Sequence, residues 1–253
     1  MSALSLQNGV VEIGGTTILK SVSFDVVQGQ FVALLGPNGA GKTTAVRALL
    51  GAQALKSGRA LIAGKDTQSL SARERALALS YLPQSRQVAW PMAVREVVAL
   101  GRFAFGGPLG RLGPQDTGAI DEAMARCDLS GLAQRSVASL SGGELARVHI
   151  ARAMAANTPA LIADEPIAAL DPRHAIEVLE LLKGRAEEGS AVLVILHDLS
   201  LAARFCDQVI VLHQGKKIVQ GPPSNALTPA ILSEVYGVAG RWQGDNLLVS
   251  GKA

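Results

Sequence analysis

Eight consecutive residues, Gly36-Pro37-Asn38-Gly39-Ala40-Gly41-Lys42-Thr43, match the spacing G-x-x-x-x-G-K-[ST] and are followed by Thr44. Glycines at this spacing let successive backbone N–H groups curl inward, where they can hydrogen-bond the oxygens of a polyphosphate. The Lys42 ammonium would reach the terminal phosphates, and the Thr43 hydroxyl would reach a Mg²⁺ ion. A glycine-rich turn with a chance lysine has the same letters, so context decides. Here the motif shares its first glycine with the apolar run FVALLG (31–36) and leads into a helix-forming stretch from Lys42 to Leu50. A strand that ends in such a loop and re-enters as a helix presents a helix N-terminus, with its positive potential, to the anion.

Four further signals gain meaning beside that loop. Asp164 and Glu165 end the apolar run ALIADEP (160–166). A carboxylate at the end of a buried strand is costly without a cation, so Asp164 is expected to hold Mg²⁺, directly or through water, and Glu165 to polarise an attacking water. Leu140-Ser141-Gly142-Gly143-Glu144 opens a helical segment. Alone it is a helix cap; with a phosphate loop in the same chain it reads as a second anion-binding feature. His197 ends AVLVILHD, a strand that follows the Asp164 strand, and Gln84 ends LSYLPQ. Each is unremarkable alone, and each stands where it could reach a terminal phosphate.

These residues need a scaffold. Residues 3–13 and 16–27 read as two strands around a Gly14-Gly15 turn, and 58–70 as a strand pair turning at Gly64-Lys65. A short helix over 71–78 precedes the strand 79–84. Residues 86–150 change character, with the Gly/Pro-rich stretch GGPLGRLGP (106–114) between helices predicted over 93–103, 117–127 and 142–156. Strand–helix alternation then returns: 160–166, helix 172–188, strand 191–198, helix 199–206. A hairpin over 208–221 turns at Gln214-Gly215, and the tail over 225–237 reads as a short helix with an irregular end. Strands alternating with helices predict an α/β fold with a mainly parallel sheet, and the strands before the phosphate loop read as antiparallel.

The motifs also stand in a telling order: GPNGAGKT, Gln84, LSGGE, LIADEP, the ALD of 169–171 and His197. In that order they resemble the ATP-binding subunits of ABC transporters, from about residue 3 to residue 237. The resemblance implies a P-loop NTPase (RecA-like) core with an antiparallel β subdomain and an all-helical insert. It implies one ABC ATPase domain over 1–253, with residues 1–85 and 157–253 as the nucleotide-binding core and 86–156 as the helical subdomain. It further implies that Gly36–Thr43 is the Walker A loop, with Lys42 acting on the γ-phosphate and Thr44 beside it. Gln84 becomes the Q-loop glutamine, a ligand of nucleotide and of Mg²⁺. Ser141, Gly142 and Gly143 belong to the signature, Asp164 is the Walker B aspartate, Glu165 the catalytic glutamate, Asp171 the D-loop aspartate and His197 the switch histidine. In the family two subunits pack head to tail, each ATP lying between one Walker A loop and the partner's signature. The implied partners are a transmembrane permease and a periplasmic or extracellular binding protein, with the ATPase peripheral on the cytoplasmic face of the membrane.

Two departures stand out. The signature ends in Glu144 where many members carry glutamine, a variant that looks common among importers. The position that usually stacks an aromatic ring on adenine aligns with Ile13, which replaces stacking by aliphatic contact. The segments YLPQSRQVAWPMAVREVVALGR, LHDLSLAARFCDQVIVLHQGKKIVQGPP and LTPAILSEVYGV resemble the importers of iron–siderophore complexes, haem and cobalamin, in that order of preference. Another metal importer or an exporter shares the same chemistry. An ABC ATPase acting on nucleic acid or ribosomes would usually bring two cassettes or coiled-coil inserts.

Composition fits this reading. Of 253 residues 48% are apolar and 18% charged, which is globular rather than disordered. The net charge, 24 − 21 = +3, is spread along the chain, and no basic block marks a nucleic-acid surface. Two distant cysteines, Cys127 and Cys206, make no disulfide framework and are expected to be buried bystanders in a reducing compartment. The N-terminus lacks the basic start and apolar run of a signal peptide. No apolar stretch approaches the ~20 residues of a spanning helix, the longest candidate being AVLVIL at 191–196. Any membrane role is therefore expected to come through a partner.

Overall fold

The computed structural model describes residues 2–84, 91–106 and 112–252. The stretch just after Gln84 and most of the Gly/Pro-rich loop at 106–114 lie outside the described residues. Two long strands open the chain, Ser2–Ile13 (β1) and Thr16–Val27 (β2), paired antiparallel. Phe31–Leu35 (β3) leads through the phosphate loop into Lys42–Leu49 (α1), followed by Ser57–Ile62 (β4), Lys65–Asp66 (β5), Ala72–Ala78 (α2) and Leu79–Leu82 (β6). A helical stretch comes next: Val94–Ala99 (α3), Pro114–Arg126 (α4) and Gly142–Ala155 (α5). Alternation resumes with Ala160–Asp164 (β7), Pro172–Glu187 (α6), Ala191–Ile195 (β8), Leu199–Phe205 (α7), Gln208–His213 (β9) and Lys216–Gly221 (β10). Two short helices, Pro223–Ala226 (α8) and Pro229–Ile231 (α9), precede a terminal pair, Val238–Gln243 (β11) and Asn246–Lys252 (β12).

The strands form two large sheets. One is antiparallel, in the order β2-β1-β4-β5; the other has the order β10-β9-β3-β8-β7-β6. In the second, β9, β3, β8, β7 and β6 run parallel and only β10 is antiparallel. The all-apolar strands β3 and β8, and β7 up to its final Asp164, are buried along their whole length, as strands covered on both faces must be. One apolar layer lies between the two sheets, with α1 on it; it includes Leu4, Phe24, Leu34, Leu49 and Ile195. The other packs the opposite face of the parallel sheet against α3 to α7, through Phe31, Leu82, Val98, Ile150, Leu179 and Val194. This is the mixed α/β, P-loop NTPase-type architecture expected from the sequence.

Arg102 braces the helical stretch from within. It is only 7% exposed; its Nε donates to Asp116 Oδ1 at 2.8 Å, its Nη1 donates to the Ala155 carbonyl at 3.1 Å, and its guanidinium lies 3.5 Å from the Phe105 ring centre. One buried cation thus ties the segment after α3 to the start of α4 and the end of α5. Cys127 and Cys206 are both buried, and burial pushes the Cys127 thiol up to about 12 and Cys206 further still. Both are inert thiols, as expected. No helix among the described residues is long and apolar enough to cross a membrane.

Over 225–237 the chain forms the short helical turns α8, α9 and Leu232–Tyr236, in line with the short helix and irregular end expected there. Beyond it, where the sequence predicts no element, β11 and β12 pair as a hairpin across Gly244-Asp245. Leu247 is buried against α7, Ser200 Oγ donates to the Leu247 carbonyl at 3.1 Å, and Trp242 Nε1 donates to the Leu227 carbonyl at 2.9 Å. Both strands are mostly solvated, so their hydrophobic alternation is weak, and the readable signal was the two-residue Gly-Asp turn.

Candidate active site

Neighbouring parallel strands deliver their carboxyl ends to one edge of the sheet. The order β3-β8-β7-β6 therefore sets, side by side, the phosphate loop, His197, Asp164-Glu165 and Gln84. This edge is where open α/β sheets bind ligands.

The phosphate loop is tight because its glycines permit what no other residue could. Gly36 has φ +147°, and a β-carbon there would come within 2.2 Å of the Leu212 carbonyl oxygen on the adjacent β9. Gly41, with φ +100°, caps α1. Asn38, Gly39 and Thr43 are exposed, Pro37 and Thr44 half-buried, and Ala40 buried, its N–H donating to the Pro37 carbonyl at 3.1 Å. Lys42 is 6% exposed, and its Nζ donates to the Gly36 and Pro37 carbonyls at 2.7 and 3.1 Å. Burial lowers its ammonium below the usual lysine range, while Glu165 and Asp164 work in the opposite direction.

Asp164 is 3% exposed. The Tyr81 hydroxyl donates to its Oδ2 at 3.2 Å. Its Oδ1 is buried without a hydrogen-bond partner among the described residues. Burial raises this carboxyl above the usual aspartate range, the Tyr81 bond opposes the shift, and nearby Glu165 adds to it. Tyr81 is in turn pushed up to about 12, by burial and by the Asp164 charge. A buried carboxylate with an orphaned oxygen is a poor structural group and a good cation ligand.

Glu165 has φ +49°, an uncommon conformation for a side chain of this kind. That left-handed turn at the strand end coincides with the contacts of its carboxylate. Its Oε2 accepts from Gln84 Nε2 at 2.7 Å, and its Oε1 lies 2.7 Å from His197 Nε2. Three side chains predicted separately from three strand ends thus meet at one carboxylate. A carboxylate held between an amide and an imidazole, with the Lys42 cation acting on it, can order a water and accept its proton.

The remaining predicted residues form a second group. Ser141 caps α5 in a reciprocal box: its Oγ accepts from the Glu144 N–H at 3.3 Å, and Glu144 Oε2 accepts from the Ser141 N–H and hydroxyl at 2.8 Å each. Glu144, the departure from glutamine, is thereby used as a capping carboxylate. Asp171 caps α6, and its carboxylate contacts the backbone and ring of His174. Gly142 is exposed and Gly143 half-buried. Ile13, at the end of β1, is 49% exposed, an open apolar side chain where the sequence placed the adenine contact.

Tyr81 and His174 were not singled out from sequence. The signal for Tyr81 was its place on the strand pairing beside Asp164, with Tyr81 opposite Ile162. For His174 it was the position three residues after a helix-capping aspartate.

Comparisons with known proteins identify the family and the fold. A model of the ABC transporter family matches residues 19–168. The chain is 45% identical over 226 residues, 89% of its own length and 80% of the other's, to the hemin import ATP-binding protein HmuV of Streptomyces coelicolor. It is 41% identical over 227 residues to the cobalamin import ATP-binding protein BtuD of Halobacterium salinarum, covering 89% of this chain and 56% of that one. Among solved structures, an ATP-binding cassette of an ABC transporter in its ADP conformation superposes with a TM-score of 0.83 at 26% identity, over 93% of this chain and 98% of that one. A dimeric bacterial ABC transporter cassette gives 0.75 at 28% identity, over 87% and 98%. The chain belongs to the ABC transporter family, among the ATP-binding subunits whose ATPase activity drives transport.

Proposed function

We propose that this chain is the ATPase of an importer for a haem-like metal chelate, working as a head-to-tail pair beneath a membrane permease. The observation that carries the ATPase half is the meeting of Gln84, Glu165 and His197 at one carboxylate beside a buried lysine of the phosphate loop. In this reading the Gly36–Thr44 loop and the start of α1 bind the phosphates of ATP. Lys42 leaves the Gly36 and Pro37 carbonyls for the β- and γ-phosphates. Glu165 holds the attacking water and takes its proton, and His197 orients Glu165 and the terminal phosphate. Ser141, Gly142 and Gly143 complete the partner's site, with Asp171 beside them.

The residues present fit a magnesium ion. The orphaned Asp164 Oδ1, the Thr43 hydroxyl and the Gln84 amide would hold it, together with phosphate oxygens, in the way magnesium is commonly held by few protein ligands. When bound it would neutralise charge developing on the phosphates. Among the described residues no cluster of three His, Cys, Asp or Glu side chains forms a separate metal cage.

The relatives support the importer half. Several are hemin import ATP-binding proteins, and others serve cobalamin import. Those names favour a haem-like chelate as the cargo in this proposal. The permease, the binding protein outside the membrane and the cytoplasmic, peripheral placement follow from the same reading, as does the division into a core (1–85 and 157–253) and a helical subdomain (86–156). Cells whose only copy carries Lys42→Ala should lose uptake of labelled haem. Undiminished uptake of haem, cobalamin and ferric siderophores alike would overturn the importer reading.

A further inference from the structure

His174 touches two segments at once. Its Nδ1 lies 2.5 Å from Asp171 Oδ2, and its backbone N–H donates to Asp171 Oδ1 at 3.1 Å. The opposite edge of the ring rests on Gly143: a β-carbon on that glycine would come within 2.6 Å of His174 Cδ2 and 2.8 Å of Nε2. One turn further along α6, Glu177 lies 3.7 Å from Arg147 of α5 and 2.9 Å from Arg173 of its own helix. Residues 174 and 177 are three apart, and 143 and 147 four apart, so the two contacts stack on facing sides of the two helices. Glycine at 143 leaves room for an imidazole that Asp171 aims at it.

We propose that His174 is a positioning residue, a strut that fixes the Ser141–Gly143 segment to the Asp171 turn so that the two move as one piece. In the head-to-tail dimer, on whose reading the functional consequence rests, Ser141–Gly143 serves the ATP held by the partner. The strut therefore governs how well one copy completes the other's site, and leaves the affinity of its own phosphate loop unchanged. Positioning of this kind is worth a large factor, since a roughly 1 Å misplacement can cost about 10²-fold in rate.

The test uses the full chain with His174→Ala, His174→Asn and His174→Phe. Asparagine retains a donor toward Asp171, and phenylalanine retains a ring against Gly143. Amide hydrogen exchange over residues 140–147 of the nucleotide-free chain reads the strut directly, without reference to a dimer. His174→Ala should speed exchange of the Glu144 and Leu145 amides about 10-fold, and each of the other two variants should recover part of the loss. Fluorescent ATP-analogue binding should stay within about 2-fold of the parent. In a Glu165→Gln background, light scattering should show the ATP concentration for half-maximal dimerisation rising about 10-fold, and in the parent background kcat should fall about 10-fold. Unchanged exchange in His174→Ala overturns the strut. Faster exchange with unchanged dimerisation and kcat overturns its functional role. If Glu165→Gln alone never dimerises with ATP, the head-to-tail reading fails while the exchange data still judge the strut. If His174→Ala does not fold, wild-type exchange and dimerisation in both other variants overturn the proposal.

Discussion

Replacing Glu165 by glutamine swaps one carboxylate oxygen for an amide and removes the charge, with almost no change in volume. Among the described residues two contacts are at stake, the 2.7 Å bonds to Gln84 Nε2 and His197 Nε2. The new amide nitrogen would face Gln84 Nε2 donor to donor, but a half-turn of the Gln84 amide presents its oxygen and restores the bond. What is lost structurally is the charge assistance, about 1 kcal/mol on a partly exposed group, or about 2–4 °C in Tm for a chain of this size. What is lost chemically is the proton acceptor, worth about 10²–10⁴ in rate, or about 3–5 kcal/mol of barrier. The second effect exceeds the first several-fold, so the variant should be a folded, ATP-binding, nearly inactive protein. Phosphate release under saturating Mg·ATP and equilibrium binding of a fluorescent ATP analogue, measured on one preparation, separate the two. Turnover within about 3-fold of the parent, with binding intact, would remove Glu165 from the mechanism.

Three other perturbations have expected outcomes. Burial raises the Asp164 carboxyl in the native chain, so the native state binds that proton more tightly than the unfolded state; the stability it contributes is present at low pH and lost as pH rises through the native value. Asp164→Asn should therefore melt higher than the parent at neutral pH without nucleotide, while Mg·ATP turnover falls by about 10³-fold, the several kcal/mol of metal charge stabilisation; calorimetry and phosphate release check both. Arg102→Ala leaves Asp116 and the Ala155 carbonyl without their buried partner and should cost about 3–5 kcal/mol, seen as a lower urea midpoint; a loss under about 1 kcal/mol would show the brace to be idle. Ile13→Tyr gives an exposed site an aromatic face and should tighten ATP about 5-fold, for a stacking gain of about 1 kcal/mol, as titration calorimetry would show.

Much of the site was legible because it is built from strand ends. A run such as FVALLG or ALIADEP announces both a buried strand and the residue at which it surfaces, so Gly36, Asp164, Glu165, His197 and Gln84 could be named without a structure. Their adjacency was less legible. Strand order in a parallel sheet depends on crossovers, and no local pattern states that β8 lies between β3 and β7. The tertiary partners were illegible for the same reason: Tyr81 on Asp164, and the His174 ring on Gly143, are contacts between elements distant in sequence. Helix ends were read to within a few residues, while the β11–β12 pair was missed because its solvated strands carry little alternation beyond the Gly244-Asp245 turn.

Affinity purification of the tagged chain from detergent-solubilised membranes asks whether this ATPase works under a membrane permease. The prediction is a stoichiometric multi-span partner identified by mass, whose presence raises ATP turnover and whose cargo is a haem-like chelate. Recovery of only soluble partners, such as ribosomal or DNA-repair proteins, would leave the ATPase standing and contradict the transport role.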